Sequence, residues 1–198
     1  MEPVEIAAGR LHLRPWAPYD ADAVFAACSD PVTQRWTTVP VPYTRAHAQA
    51  YVEGATAGWT GETALTWAVR DSTTGDVLAS IALRADGPDR VWSVGYWTVP
   101  ASRSQGVLTE ALGAVCRWAF GPLGAERLNW EAEEGNWPSR RVAEKVGFTI
   151  APGAPGVLMN RGVPASGWVG NRLADDPEQD TGRAAEAVSE PGRSADLE

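Results

Sequence analysis

Residues 99–120 read VPASRSQGVLTEALGAVCRWAF. Val99 closes a run of β-branched and aromatic residues, VWSVGYWTV, which reads as a strand. From Val107 to Phe120 the apolar positions Leu108, Ala111, Leu112, Val115, Cys116 and Ala119 recur every three or four residues, the signature of one buried helix face. Between strand and helix stand Arg103, Ser104, Gln105 and Gly106. A helix start leaves several backbone N–H groups without partners, and their partial positive charge favours an anion such as phosphate. Gly106 lets a ligand approach the backbone closely, and Arg103 adds a formal charge beside it. Many such joints carry a glycine only to turn, so the stretch alone leaves an anion site and a plain connection both open.

Working outward, RLHLRPW alternates Leu11 and Leu13 with polar neighbours and predicts a strand. DADAVFAACSDP predicts a helix capped by Asp20 and stopped before Pro31, and YTRAHAQAYVEGATAGW a second helix capped by Thr44. TWAVRDSTTGDVLASIALRA and RVWSVGYWTV supply three strands with turns at DSTTGD and ADGPDR. After the helix of residues 107–120, ERLNWEAE predicts a strand with Leu128, Trp130 and Ala132 on one face, and SRRVAEKVGF a short helix stopped by Gly147. GVLMNRG and GWVGNRL close the pattern as strands. The order β α α β β β α β α β β predicts an α/β domain with a mixed sheet. GATAGWTGET lacks the lysine of a nucleotide phosphate loop.

The composition fits one globular domain: 198 residues, 44% hydrophobic and 21% charged. The net charge of -8 is concentrated at the end, where Ala174 to Glu198 holds eight acidic residues against two arginines and almost no large apolar side chain. We expect a folded domain over 1–173 and an acidic disordered tail over 174–198, since such a tail cannot offset its ordering entropy. An acidic chain with scattered arginines offers no basic stripe for nucleic acid. No run of about 18 apolar residues and no leader pattern is visible, so no membrane contact and a cytoplasmic location are expected. Cys28 and Cys116 fall on apolar helix positions as buried thiols, and His12 and His47 belong to no metal-ligating cluster, so no metal is expected.

RSQGVL (103–108) resembles the acyl-CoA-binding signature Q/R-x-x-G-x-G/A of the GNAT acyltransferase superfamily. NWPSRRVAEKVGF (136–148) is similar to the second half of that site in the ribosomal-protein N-terminal acetyltransferase subgroup. RLHLRPWAPYDADAVFAACSDPVTQRW (10–36) resembles that subgroup's first strand and helix. The resemblance runs in order from Arg10 to Leu173. It departs at Leu108, where the pattern prefers Gly or Ala, and at Ser104, where many relatives carry Gly.

The resemblance implies a mostly antiparallel central sheet splayed between two strands and flanked by helices. It also implies an acetyl-CoA-dependent N-acetyltransferase that moves the acetyl group directly to a primary amine, a protein N-terminal α-amine or a small molecule, working as a monomer or homodimer. The pyrophosphate would lie along Arg103, Ser104, Gln105, Gly106, Val107, Leu108 and Thr109, and the pantetheine against Trp97, Val99 and Asn136. Glu131, five residues before Asn136, would be the base, with Glu133 pointing the same way as runner-up; as solvated carboxylates both would be inert. Ser139 would stand near the thioester sulfur in place of a tyrosine, absent at Ala143, or would serve only as a helix-start serine. Trp36, Tyr43, Trp59 and Trp168 would wall the acceptor pocket. The competing reading is an acyl-CoA-binding or interaction module on the same fold, catalytically weak or inactive.

Overall fold

The computed structural model describes residues 1–87, 90–153, 156, 158–177 and 186–188. Its strands are β1 (Glu5–Ala8), β2 (Leu11–Pro15), β3 (Ala64–Asp71), β4 (Val77–Ala85), β5 (Val91–Thr98), β6 (Arg127–Glu133), β7 (Thr149–Pro152), β8 (Leu158–Asn160), β9 (Val163–Ala165), β10 (Gly167–Leu173) and β11 (Glu186–Val188). The helices are α1 (Ala21–Ser29), α2 (Pro31–Trp36), α3 (Arg45–Thr60), α4 (Val107–Phe120) and α5 (Trp137–Lys145). Among the described residues, nine strands form one sheet in the order β11-β1-β2-β3-β4-β5-β6-β10-β7, while β8 and β9 make a separate hairpin. Neighbours pair antiparallel throughout, except β5 and β6, which are parallel.

Pairing between β5 and β6 covers only Val91–Val94 against Arg127–Trp130. Beyond that the two strands diverge, although β6 stays paired with β10 along its whole length. The expected splay is therefore present, and Gly95 to Thr98 line one side of the opening.

One core lies between the sheet and α4. The predicted helix face is buried there, and Ala111, Leu112, Val115, Cys116 and Ala119 pack against Leu13, Ile81, Leu83 and Leu128. Trp59, Trp67 and Trp118 tie α3, β3 and α4 together through edge-to-face contacts, with ring centroids 4.9 Å apart for Trp59–Trp67 and 5.4 Å for Trp67–Trp118. A second cluster on the opposite face seats α1 and α3 through Val24, Cys28, Tyr43, Ala48 and Val52. Both cysteines are free and buried, and burial raises each thiol to about 11, far from reactive.

Two local readings of the sequence are corrected. Pro31 does not only end α1; it opens α2, at the first-turn position where a missing N–H costs nothing, with Asp30 Oδ2 accepting from Thr33 N at 2.9 Å as cap. Asp20 precedes α1 without capping it. Its carboxylate, 3% exposed, instead accepts from Arg14 at 3.1 Å, from Arg70 and from the Ala17 amide at 2.9 Å, the neutralising shell a buried charge requires. β1, β7 and β9 are additions to the predicted order. Of the tail, Glu186–Val188 is a strand whose backbone pairs with β1; most of the stretch expected to be disordered lies outside the described residues.

Gly54 and Gly58 both sit inside α3, where alanine is normally the better residue by about 1 kcal/mol. A Cβ on Gly54 meets nothing within 4 Å, whereas one on Gly58 would lie 2.4 Å from the Ala64 carbonyl oxygen. Gly54→Ala is expected to raise stability by about 0.5–1 kcal/mol and Gly58→Ala to lower it by about 1–3 kcal/mol in denaturant unfolding. Equal effects would mean that α3 does not approach the start of β3 this closely.

Candidate active site

The divergence of β5 and β6 opens a groove of about 1360 Å³ that passes between the two strands and spreads over the sheet face beside α2 and α3. The first turn of α4 stands at one end. Gly106, its N-cap, has φ +78° and supplies no side-chain cap, so the N–H groups of the first turn are left to face whatever enters. Gly106, Val107, Leu108 and Thr109 all line the groove. Ser104 is also left-handed, at φ +60°, which gives a physical reason why glycine suits that position.

The rest of the joint is used differently. Arg103 lines the groove, but its guanidinium is bound by the Asp30 carboxylate and donates to Thr33 Oγ1 at 3.2 Å. That partnership holds the Asp30 carboxyl below the usual carboxylate range. Arg103 therefore fastens the joint to the start of α2. Gln105 turns outward, its side-chain amide donating to the Ala101 carbonyl at 2.6 Å. The Val99 N–H is taken by the Leu78 carbonyl at 2.9 Å, and neither Gln105 nor Val99 lines the groove.

Across the opening, β6 turns into α5. Asn136 caps α5 by accepting from the Ser139 amide at 3.4 Å, a cap position that holds its side chain at the groove wall. Ser139 Oγ donates to the Tyr96 hydroxyl at 3.1 Å. That hydroxyl also accepts from Trp130 Nε1 at 2.9 Å and donates to the Ser139 carbonyl at 3.0 Å. Burial raises the Tyr96 phenol, so it stays protonated. Tyr96 was not among the expected site residues. Its signal was an aromatic hydroxyl on the core-facing alternation Trp92, Val94, Tyr96, where a buried O–H must find a partner.

The two candidate bases differ. Glu133 accepts from Arg35 at 2.5 Å and from Asn160 Nδ2 at 2.9 Å, which holds it below the usual range, and it is not part of the groove lining. Glu131 lines the groove with no ion pair among the described residues, and partial desolvation with the nearby Asp86 charge raises its pKa. Of the expected acceptor walls only Trp36 lines the groove, with Trp97 from the pantetheine set beside it. Trp59 is fully buried and donates to the Thr66 carbonyl at 3.2 Å. Tyr43 is buried in the second core. Trp168 packs on Trp137 at 4.7 Å between ring centroids. These three large rings serve packing, the ordinary use of such area.

A model of the acetyltransferase (GNAT) domain matches residues 10–149. The chain belongs to the GNAT acetyltransferase domain family. This member is an N-acetyltransferase. No curated protein matches the GNAT chain in sequence. Among solved structures, it is similar to a protein described as a ribosomal-protein-serine acetyltransferase from Vibrio cholerae, with TM-score 0.75 and 23% identity over 85% of this chain and 97% of that one. Mycobacterium smegmatis RimJ in complex with CoA-disulfide aligns with TM-score 0.73 and 20% identity, over 88% of this chain and 87% of that one. A GCN5-related N-acetyltransferase from Brucella melitensis gives TM-score 0.73 and 26% identity, over 88% and 80%. Among the described residues no helix is long and apolar enough to cross a membrane.

Gly106 isolates backbone geometry from contact, because a Cβ there meets nothing within 4 Å while φ is +78°. Gly106→Ala is expected to lower stability by about 1 kcal/mol through the left-handed backbone alone, read by thermal or denaturant unfolding. No change would mean that the joint relaxes into another conformation.

Proposed function

We propose that the enzyme uses acetyl-CoA to acetylate a primary amine, either a peptide N-terminal α-amine or a small-molecule amine, in the cytoplasm, as a monomer or homodimer. The observation that carries this reading is the end of β5–β6 pairing at Val94 and Trp130, with an uncapped α4 N-terminus at the mouth of the gap. The first-turn N–H groups of α4 suit the pyrophosphate. Arg141 and Lys145 line the same groove with no ion pair among the described residues and can add charge toward the donor's phosphates. Arg140, by contrast, is paired with Glu144 at 2.7 Å. Asn136 and the unpaired edge of Gly95 to Thr98 offer polar groups to the pantetheine amides. The RimJ neighbour was solved with a CoA compound, which supports this donor.

In the transfer, the amine nitrogen bonds to the thioester carbonyl carbon, the C–S bond breaks, and the thiolate needs a proton or a hydrogen bond. Glu131 accepts the proton that the amine loses, directly or through water, and its raised pKa makes it a stronger base than an ordinary carboxylate. An α-amine, with an ordinary pKa of about 7.7–8.0, is partly neutral already and needs only this modest help. Ser139 is the hydrogen-bond donor toward sulfur: its single O–H, given to Tyr96 in the structure, turns to the departing thiolate. Glu133, bound to Arg35, is set aside for structure.

The test is free-thiol release from acetyl-CoA over peptides beginning Ser, Ala or Thr, aminoglycosides and polyamines. Glu131→Gln is expected to lower kcat/KM about 10²-fold below pH 8 with acetyl-CoA affinity intact. In the parent, Glu131 acts only when deprotonated, so the rate rises with pH through its raised pKa and again through that of the amine. Ser139→Ala is expected to lower kcat about tenfold with KM unchanged, the size of one lost hydrogen bond to the leaving sulfur. Thermal stabilisation by acetyl-CoA with no thiol release on any acceptor would identify a binding module instead.

A further inference from the structure

The groove carries a further cation, Arg84, that has no ion pair among the described residues. Arg84, near the end of β4, lines the open sheet face and makes no hydrogen bond or ion pair among the described residues. An opposite charge stands two residues away on the same face, at Asp86. Yet Asp86 accepts from Asn129 Nδ2 at 2.7 Å, and the Arg84 guanidinium turns the other way, across Gly95. A Cβ on Gly95 would lie 2.8 Å from Arg84 Nη1, so glycine is what lets the side chain lie flat there. Ala82 is paired with Gly95 on the adjacent strand, and these two small residues leave the floor low beneath the guanidinium. The Arg84 charge reaches Tyr51 on α3, whose hydroxyl is hydrogen-bonded to Ser80 at 2.9 Å. The guanidinium therefore lies across the open sheet face over Gly95, on the side of α3, and is exposed there.

We propose that Arg84 is a carboxylate-binding residue of the acceptor site, and that the acceptor carries a carboxylate near the amine it presents to Glu131. The inference rests on the amine-acetylation reading above. A guanidinium fork matches a carboxylate with two parallel hydrogen bonds. Asp86 and Glu131 keep the surroundings acidic, which disfavours a multiply charged phosphate and suits a single negative charge paired with an ammonium. The required chemistry is a primary amine and a carboxylate on one molecule. It can come from an acidic side chain near the start of a peptide or from the carboxylate of a free amino acid.

The test compares matched acceptors: peptides with Asp or Asn at the second position, and amino acids against their amides. Binding is measured by calorimetry in the presence of CoA, and kcat/KM by thiol release. The carboxylate member of at least one pair is expected to bind about tenfold or more tightly, and which pair shows it identifies the source. Arg84→Gln is expected to bring that ratio to about one, Arg84→Lys to keep part of it, and Gly95→Ala to reduce it by displacing the guanidinium. No preference in the parent, or a preference that survives Arg84→Gln, overturns the proposal. A preference in binding that depends on Arg84, without thiol release from any acceptor, keeps the carboxylate site and overturns the acetyl-transfer reading.

Discussion

Two parallel strands that hydrogen-bond for four residues and then part are the constraint on which this molecule depends. Each residue of β5 and β6 beyond Val94 and Trp130 gives up a ladder partner, and buried backbone groups do not go unpaired without compensation. The outer edges keep each strand in place, since β4 pairs with β5 and β10 with β6 throughout the diverging part, while the groups that face the gap have no strand partner. The Tyr96 hydroxyl spans the gap, taking a hydrogen bond from Trp130 and meeting Ser139 on α5. The separation is thus held from both sides, and the backbone edges it exposes are ready for a ligand that offers amides.

The same economy of partners sorts the charges. Asp20, Asp30 and Glu133 each lie against arginines from other segments, so they fix the positions of α1, the joint before α4, and β6. Glu131, Arg84, Arg141 and Lys145 have no such partner among the described residues, and all four line the groove. A charge already held by another segment is poor material for binding or proton transfer. This distinction separates Glu131 from Glu133, two residues apart on one strand, more sharply than their common orientation does.

The helix of residues 107–120 was legible because fourteen residues carry four turns of unambiguous periodicity, and the strand order followed from alternation and turn residues. The joint before it was legible as a place but not as a set of roles. Arg103 reads as a phosphate ligand until Asp30, seventy-three positions earlier, is found beside it. Tryptophans were the least informative residues: Trp36 reaches the groove, and Trp59 and Trp168 are packed away, with nothing local in the sequence to separate them. Arg84 and Tyr96 were missed for the same reason, since their meaning comes from Gly95 and Ser139 on neighbouring elements.

The hairpin of β8 and β9 stands outside the main sheet, yet Arg161 at its tip donates to the carbonyls of Gln34, Thr37 and Val39 around the end of α2. Helix C-terminal carbonyls attract such a cation. One doorpost of the groove, carrying Trp36 and Thr37, is therefore hung on a loop far away in the chain. The same hairpin reaches the other side as well, since Asn160 on β8 donates to Glu133 at 2.9 Å on the strand that carries Glu131. One short hairpin thus braces the end of α2 through Arg161 and β6 through Asn160, so a change in its length would shift both banks of the groove together.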